Sequence, residues 1–485
     1  MYIENKSRQV ALIISASLAG FMALLDGNIV NISLPYIASY FNVSTANVVQ
    51  IILAYLVVLV GTMIIFGKLA DQYGVKKVFI SGFVIFTLSS LLCGFATSLP
   101  LLLLFRVIQA TGASMLFATA VSLLPRFIPK DKLGWAFGIF SPITSLGLLV
   151  GNPLGGLITG LLDWHWIFLI NVPIGIVAVA LALKAIPNDQ VGTTTKIPAG
   201  NFDFLGSMLS FFGLAILVFC LNQGRSIGWT NPLIFGGIVS SVILILLFIQ
   251  VEKRAANPIL DLNIFHTRDY SLCLISSFSG YGLMAGSSIL MPFYLTYVLK
   301  INVEHAGFIL MTFAVIFSAI SPMAGNLSDR FMKNRLSASG MLLAIAACIF
   351  FILLMPLAKL WVVFILLATL GFSYAFFITP NNNLVMSLAD PKKQTISASI
   401  YKLSTNMGQM TGILLMEMMF TIPMPKGFHA DGSKLKSMDL TAFISGFQWA
   451  YAGGILMCLV SLSFLLMVKE EKNQDDTPEG AIALL

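Results

Sequence analysis

The chain has 485 residues, of which 58% are hydrophobic and only 10% charged, with a formal net charge of +7. Soluble globular proteins carry about 25% charged residues, so this composition cannot clothe a water-facing surface. The apolar residues fall into runs of roughly 20, enough to cross about 30 Å of hydrocarbon at about 1.5 Å per residue, which predicts an all-α polytopic membrane protein.

Hydropathy, broken at Pro, Gly and charge, predicts fourteen spans. They lie near 10–33, 46–67, 77–97, 100–123, 134–160, 165–185, 203–222, 232–251, 270–297, 304–325, 336–356, 360–385, 395–421 and 441–468. Span 1 is long for a signal peptide and contains Asp26, so it reads as a retained span. Asp26 lies about 10 Å inside the outer boundary. Asn28 and Asn31, about 60° apart, are turned about 160° and 140° away from it. Span 2 carries Gln50 and Tyr55 and exits into "GKLADQYGVKK" (67–77), with Gly67, Asp71, Lys76 and Lys77. Span 4 enters from outside and holds Arg106 about 9 Å below that boundary, then Gln109. Two opposite charges at one depth in hydrocarbon pair or line a watery path. A carboxyl there holds its proton tightly, whereas a guanidinium nearby favours the ionised form, so a change in their separation can switch the acid. The alternative is a static structural pair.

In span 5, Gly147, Gly151, Gly155 and Gly156 form a small-residue face for close helix packing. Asn152 adds a polar group, and Pro153 removes a backbone bond and can bend the helix. Span 9 carries Tyr281. Span 10 exits into "GNLSDRFMKNR" (325–335), which repeats the first charged loop 258 residues on, with Gly325, Asp329 and Arg330. Gly67 and Gly325 are expected to allow close helix approach at these loops. Span 12 contains Tyr374 and aligns "LATLGFSYAFFITP" (367–380) with "QATGASMLFATA" (109–120) of span 4, Gly371 against Gly112. The three amides of "TPNNNL" (379–384) are expected where the next loop begins. Span 13 has Lys402 near its inner third, then Asn406 and Gln409. Glu417 near its outer end is expected to snorkel to water. Met407, Met410, Met416, Met418 and Met419 make that span adaptable to varied ligands, or are ordinary filler. The cavity candidates are Asn28, Asn31, Gln50, Tyr55, Gln109, Asn152, Tyr281, Tyr374, Asn406 and Gln409; each polar group among them also has a plain reading as an interhelical hydrogen bond.

With the N-terminus placed in the cytoplasm, twenty of the 28 Lys and Arg residues fall in inner loops and termini. Six fall outside (Arg225, Lys300, Lys359, Lys426, Lys434, Lys436) and two, Arg106 and Lys402, within spans. That bias is the positive-inside rule; it accounts for the net charge without nucleic acid. The repeats predict two parallel six-span halves around an inserted pair: 1–190, 191–268 and 269–470, with a tail at 471–485. Such halves are related by a symmetry axis along the membrane normal, with the substrate site between them.

In this setting the chain resembles the major facilitator superfamily, in its 14-span drug:proton antiporter branch. The resemblance rests on "GKLADQYGVKK", "LLDGNIVNISLP" (24–35), "RVIQATGAS" (106–114), "GNPLGG" (151–156), "WHWIFLINVPIG" (164–175), "FDFLG" (203–207) and "NPILDLNIF" (257–265), in order. Two places depart from its pattern: Asn152 stands where Pro usually follows the first Gly of the span-5 motif, and Asn28 where Thr is usual. The resemblance implies two pseudo-symmetric six-helix bundles around a central cavity, with proton coupling at Asp26 and Arg106. It implies a cytoplasmic gate latched around Gly67, Asp71, Lys76, Lys77, Asp329 and Arg330, and a span-5 seal at Gly151, Pro153, Gly155 and Gly156.

No GxxxxGK[ST] is present, so nothing cradles a nucleotide phosphate and an ion gradient must drive transport, with no cofactor. Cys93, Cys220, Cys273, Cys348 and Cys458 lie in apolar runs and offer no disulfide or metal spacing. His165, His266, His305 and His429 are scattered. An intramembrane enzyme would need a nucleophile–base pair or metal ligands at one depth, and a channel would not need duplicated gate loops. The expected function is proton-coupled efflux of amphipathic, multiple drugs by alternating access. The alternative is a dedicated exporter of a lipid, peptide-like metabolite or siderophore. Expected partners are that small substrate, protons and membrane lipid; the expected setting is a monomer in the cell membrane with both termini inside.

Overall fold

A computed structural model describes residues 3–129, 132–187, 203–228, 230–254, 267–388, 394–424 and 440–469. No strand occurs among the described residues. In chain order the helices are α1 (Lys6–Phe41), α2 (Thr45–Tyr73), α3 (Val75–Cys93), α4 (Leu99–Phe127) and α5 (Leu133–Leu161). The short α6 (Trp166–Leu169) leads directly into α7 (Asn171–Ala185), and then come α8 (Phe204–Ile227) and α9 (Pro232–Arg254). The later helices are α10 (Arg268–Phe293, extended by a π-turn at Tyr294–Val298), α11 (Val303–Arg330), α12 (Lys333–Leu354), α13 (Leu360–Leu388), α14 (Gln394–Thr421) and α15 (Leu440–Met467). Among the described residues 12 helices are long and apolar enough to cross a membrane. α2 offers only the shorter apolar stretch Asn47–Met63, and α14, interrupted by Lys402, Asn406, Gln409 and Glu417, is not among the 12; the count of fourteen spans goes beyond this measure.

Local chemistry sets the helix ends. The Asn5 side chain accepts from the amides of Ser7 and Arg8 to start α1, and Asn42, with φ of 54°, closes it by donating to Ala38 and Ser39. Between α2 and α3 the chain turns at Gly74, whose φ of 101° suits only glycine.

The chain divides into two compact units. The first takes α1 to α9 together with Ser288–Met311; the second takes the earlier part of α10 up to Ser287, then Thr312–Pro423 and α15 from Thr441. In the first unit α1 lies along α5, α3 along α4, and α7 against both α1 and α3. The α8–α9 hairpin docks on α2, where Gly61 faces the Phe211 ring and Gln50 donates to Asn222 at 3.2 Å. α9 is mostly exposed, as a helix bathed in lipid would be.

In the second unit α12 lies along α13. A side-chain carbon at Gly340 would sit 2.6 Å from the Ser373 carbonyl oxygen. In the first unit one at Gly82 would sit 2.9 Å from Met115 Cβ. Gly340 and Ser373 each lie 258 residues beyond Gly82 and Met115, the spacing of the repeated loops, so the α3–α4 and α12–α13 contacts are one contact made twice.

Candidate functional site

α1 and α4 present their ionisable groups to each other. Arg106 Nη1 donates to Asp26 Oδ2 at 2.6 Å, and the two side chains are 1% and 0% exposed, so bulk solvent does not reach the contact. Gln109, one turn along α4, lies on the same face. Its Nε2 donates to Asp26 Oδ1 at 3.1 Å and to Ser90 Oγ of α3 at 2.7 Å. Its Oε1 accepts from Arg106 Nη1 at 2.7 Å and faces Cys93 Sγ at 3.9 Å. From α7, Asn171 Nδ2 donates to Asp26 Oδ1 at 3.5 Å. The guanidinium lies 4.2 Å above the Tyr55 ring and 5.6 Å from that of Phe168, so apolar rings and π faces close the charge in.

A sealed pair of this kind is expensive to desolvate and costly to break. Every polar side chain bonded to the carboxylate is a donor, an arrangement that suits the ionised acid. Asp26, Arg106, Gln109 and Tyr55 therefore form one cluster, with Gln109 and Tyr55 built into the ion pair rather than standing apart from it. Sequence reasoning missed Ser90, Phe168 and Asn171. The last two lie inside "WHWIFLINVPIG", which read only as a family marker; a lone amide within that apolar run was the available signal.

The other candidates are placed elsewhere. Asn28 Nδ2 donates back to the Leu24 carbonyl at 2.8 Å, and Asn31 Nδ2 donates to Ser288 Oγ at 2.7 Å. Asn152 keeps its backbone oxygen against Gly307, and the Oδ1 atoms of both Asn31 and Asn152 are buried with no donor among the described residues. In the second unit the Tyr281 and Tyr401 hydroxyls meet at 3.4 Å. Tyr374 is fully buried and donates to the Gly280 carbonyl at 2.7 Å. Asn406 is buried, and its Nδ2 has no partner among the described residues; Gln409 is half-buried.

The small residues of α5 face two ways. A side-chain carbon at Gly151 would lie 2.6 Å from Asn28 Cβ, and one at Gly155 would lie 2.8 Å from the Ile29 oxygen, both on α1. One at Gly156 would instead lie 2.5 Å from the Val303 oxygen of α11. Pro153 is buried between them, and Ser33 and Thr159 close the α1–α5 seam with a hydroxyl pair at 2.7 Å.

Four expectations change. Gly67 and Gly325 do not mark close approaches: added carbons would meet Ala118 Cβ at 4.0 Å and Thr379 Cγ2 at 3.5 Å, ordinary contacts. The "TPNNNL" amides do not begin a loop, because α13 continues to Leu388. Asn381 and Asn383 donate to Ser277 and Ser328 at 2.7 and 2.8 Å, which holds both within the second unit. Glu417 is 5% exposed and does not snorkel. Lys76 is half-buried and Lys77 exposed in the first turn of α3; the side chains of Asp71, Asp329 and Arg330 lie outside the described set. All five cysteines are buried free thiols.

Residues 16–413 match the Major Facilitator Superfamily. The chain belongs to that superfamily. It is a multi-pass membrane transporter and not an enzyme. It is 31% identical over 395 residues to the riboflavin transporter RibZ of Clostridioides difficile strain 630, covering 81% of this chain and 84% of that one. It is 31% identical over 378 residues to EmrY of Escherichia coli K12, named a probable multidrug resistance protein, covering 77% and 73%. The fold is similar to that of a bacterial homolog of the human lysosomal transporter Spinster, with a TM-score of 0.66, 16% identity and coverage of 96% and 97%.

Proposed function

We propose that this superfamily member is a proton-coupled antiporter that exports amphipathic, chemically varied compounds by alternating access. The observation that carries the reading is the sealed Asp26–Arg106 pair. Ionisable residues within membrane spans belong by default to ion or substrate pathways, and this one joins two helices of the first unit through a carboxyl whose charge a proton can cancel. The likeness to a probable multidrug resistance protein supports the breadth of cargo. Part of the same proposal are the six, two and six division of spans, the cell-membrane setting with both termini inside, and the monomer. So are the gating roles of Gly67, Asp71, Lys76, Lys77, Asp329 and Arg330 and of the α5 seam. The driving force is the proton gradient.

A second reading, one dedicated small molecule, is favoured by the likeness to a riboflavin transporter. It is also favoured by the donor-less amide oxygens of Asn31 and Asn152, which suit a neutral cargo rich in N–H or O–H groups.

The test is Asp26→Asn in inverted vesicles carrying matched amounts of protein. Efflux of ethidium driven by a pH gradient is expected to disappear. Undiminished efflux removes Asp26 from the mechanism, and a wild type that moves one neutral compound but no cations favours the second reading.

A further inference from the structure

The mechanism above requires Asp26 to exist as a neutral acid for part of the cycle, and a neutral acid carries an O–H that needs an acceptor. The surroundings of Asp26 are poor in acceptors. Arg106 has donors only. Gln109 spends its oxygen on Arg106 at 2.7 Å and its Nε2 on Asp26 and Ser90. The Tyr55 hydroxyl has no partner among the described residues, but its ring is held under the guanidinium. What remains is Asn171. It is fully buried, its Nδ2 is 3.5 Å from Asp26 Oδ1, and its Oδ1 has no donor among the described residues.

An amide that rotates half a turn exchanges its donor for its acceptor without moving its helix. We propose that Asn171 is a positioning residue that turns over with the proton on Asp26: its Nδ2 donates to the carboxylate, and its Oδ1 accepts from the acid. In a state of the cycle open to water, a hydronium O–H bond breaks as the O–H bond on Asp26 forms. The proton later returns to water as the Asp26 O–H bond breaks, and Asn171 keeps both states bonded. Arg106, freed of its counter-charge in the neutral state, keeps the Gln109 oxygen and the Tyr55 face. The titratable and charged groups that face Asp26 are Arg106 from α4, Tyr55 from α2 and Cys93 from α3. α5 contains no titratable side chain, and α7 contributes Asn171. No other described side chain bonded to the carboxylate offers both a donor and an unspent acceptor.

The inference rests on the proton-coupled reading and is tested by the pH profile of ethidium efflux in proteoliposomes. Three proteins are compared: wild type, Asn171→Leu, which keeps the branching at Cγ and removes both polar groups, and Asn171→Thr, whose hydroxyl donates and accepts. In the Leu variant the ionised carboxylate loses only the long 3.5 Å donor and keeps Arg106 and Gln109, whereas the acid loses its acceptor. The half-maximal pH is therefore expected to fall by about one unit, and Thr is expected to restore most of that shift. A Leu variant with the wild-type midpoint overturns the proposal even where its rate is lower, since a purely structural role lowers rate alone. Should the Leu variant fail to reconstitute, infrared difference spectra of the wild type decide. The carboxylic C=O band that Asp26→Asn abolishes must lie at the lowered frequency of an acid donating a hydrogen bond, and a free-acid frequency overturns the proposal. Wild-type efflux indifferent to the pH gradient removes the coupling reading itself. Gradient-driven wild-type efflux with an unmoved Leu variant removes Asn171 alone.

Discussion

Cutting one half of the Asp26–Arg106 pair strands the other in a site without water. The relevant set is Asp26→Asn, Arg106→Met and the double variant. With exposures of 0% and 1% and a contact of 2.6 Å, neither survivor can turn to solvent, and breaking such a pair costs about 3–5 kcal/mol. The two singles are not equal. After Asp26→Asn the guanidinium keeps Gln109 Oε1 at 2.7 Å and the Tyr55 face at 4.2 Å, a contact of about 2 kcal/mol when desolvated, so its loss falls near the lower end, about 3 kcal/mol. After Arg106→Met the carboxylate keeps two amide donors at 3.1 and 3.5 Å, and taking up a proton relieves part of its cost at acidic pH. The double variant buries an amide beside a thioether, with no charge left, and is expected to lose about 1 kcal/mol or less. The coupling between the sites is then about 5 kcal/mol or more, well beyond the few tenths expected of independent sites. Thermal unfolding in detergent, followed with a thiol-reactive dye, reads it directly because all five cysteines are buried and free. Additive losses in the double variant would mean that solvent reaches the pair, and the argument from sealed charges fails.

Two further predictions use the same dye. Gly156→Ala puts a carbon 2.5 Å from the Val303 backbone oxygen, which cannot step aside, so a loss of about 1–3 kcal/mol is expected. Gly67→Ala meets only Ala118 Cβ at 4.0 Å and should stay within about 0.5 kcal/mol of the wild type; equal effects would refute the packing assigned to the α5 seam. At Tyr55, Phe keeps the ring under Arg106 and removes a hydroxyl with no partner among the described residues, so its stability should match or exceed that of the wild type, whereas Leu should lose about 1–2 kcal/mol with the π face. A Phe variant as weak as Leu would show that the hydroxyl, not the ring, holds the guanidinium.

The ion pair was legible because charge within spans is rare in this chain and only Asp26 and Arg106 were placed as opposite charges at one depth. Helical rise placed Asp26 and Arg106 at one level, and the bilayer supplies the reason they must meet. The repeat was legible for a similar reason: charged loops between apolar runs keep their spacing visible. The contacts that accompany it were not. Gly67 and Gly325 drew notice because they head the loops, yet the glycines at backbone contact in the repeated hairpins are Gly82 and Gly340. Spacing reports where a residue lies along a helix, while packing depends on which neighbour crosses there. The "NNN" run misled by composition: consecutive amides suggest a turn, but Ser277 and Ser328 wait at the right places on α10 and α11 to accept from Asn381 and Asn383. A serine on another helix leaves no trace near the amide it serves.

Stability does not account for the pair at the centre of the first unit. Replacing such an ion pair with apolar side chains of equal volume is often neutral or stabilising by about 1–4 kcal/mol, so a packed core alone would do without it. What an apolar core lacks is a contact whose strength depends on a proton. On the proposed reading, the ionised carboxylate binds α1 to α4 through Arg106 and Gln109 and leans on α7 through Asn171. Neutralising it removes the charge from the α1–α4 contact, while Arg106 retains a holding place on α2 through Tyr55. One proton then weakens one helix contact and leaves the rest of the cluster bonded. On that reading the coupling free energy is delivered where the buried charges of Asp26 and Arg106 meet, and variants that keep the packing but fix the charge should trap the transporter in one half of its cycle.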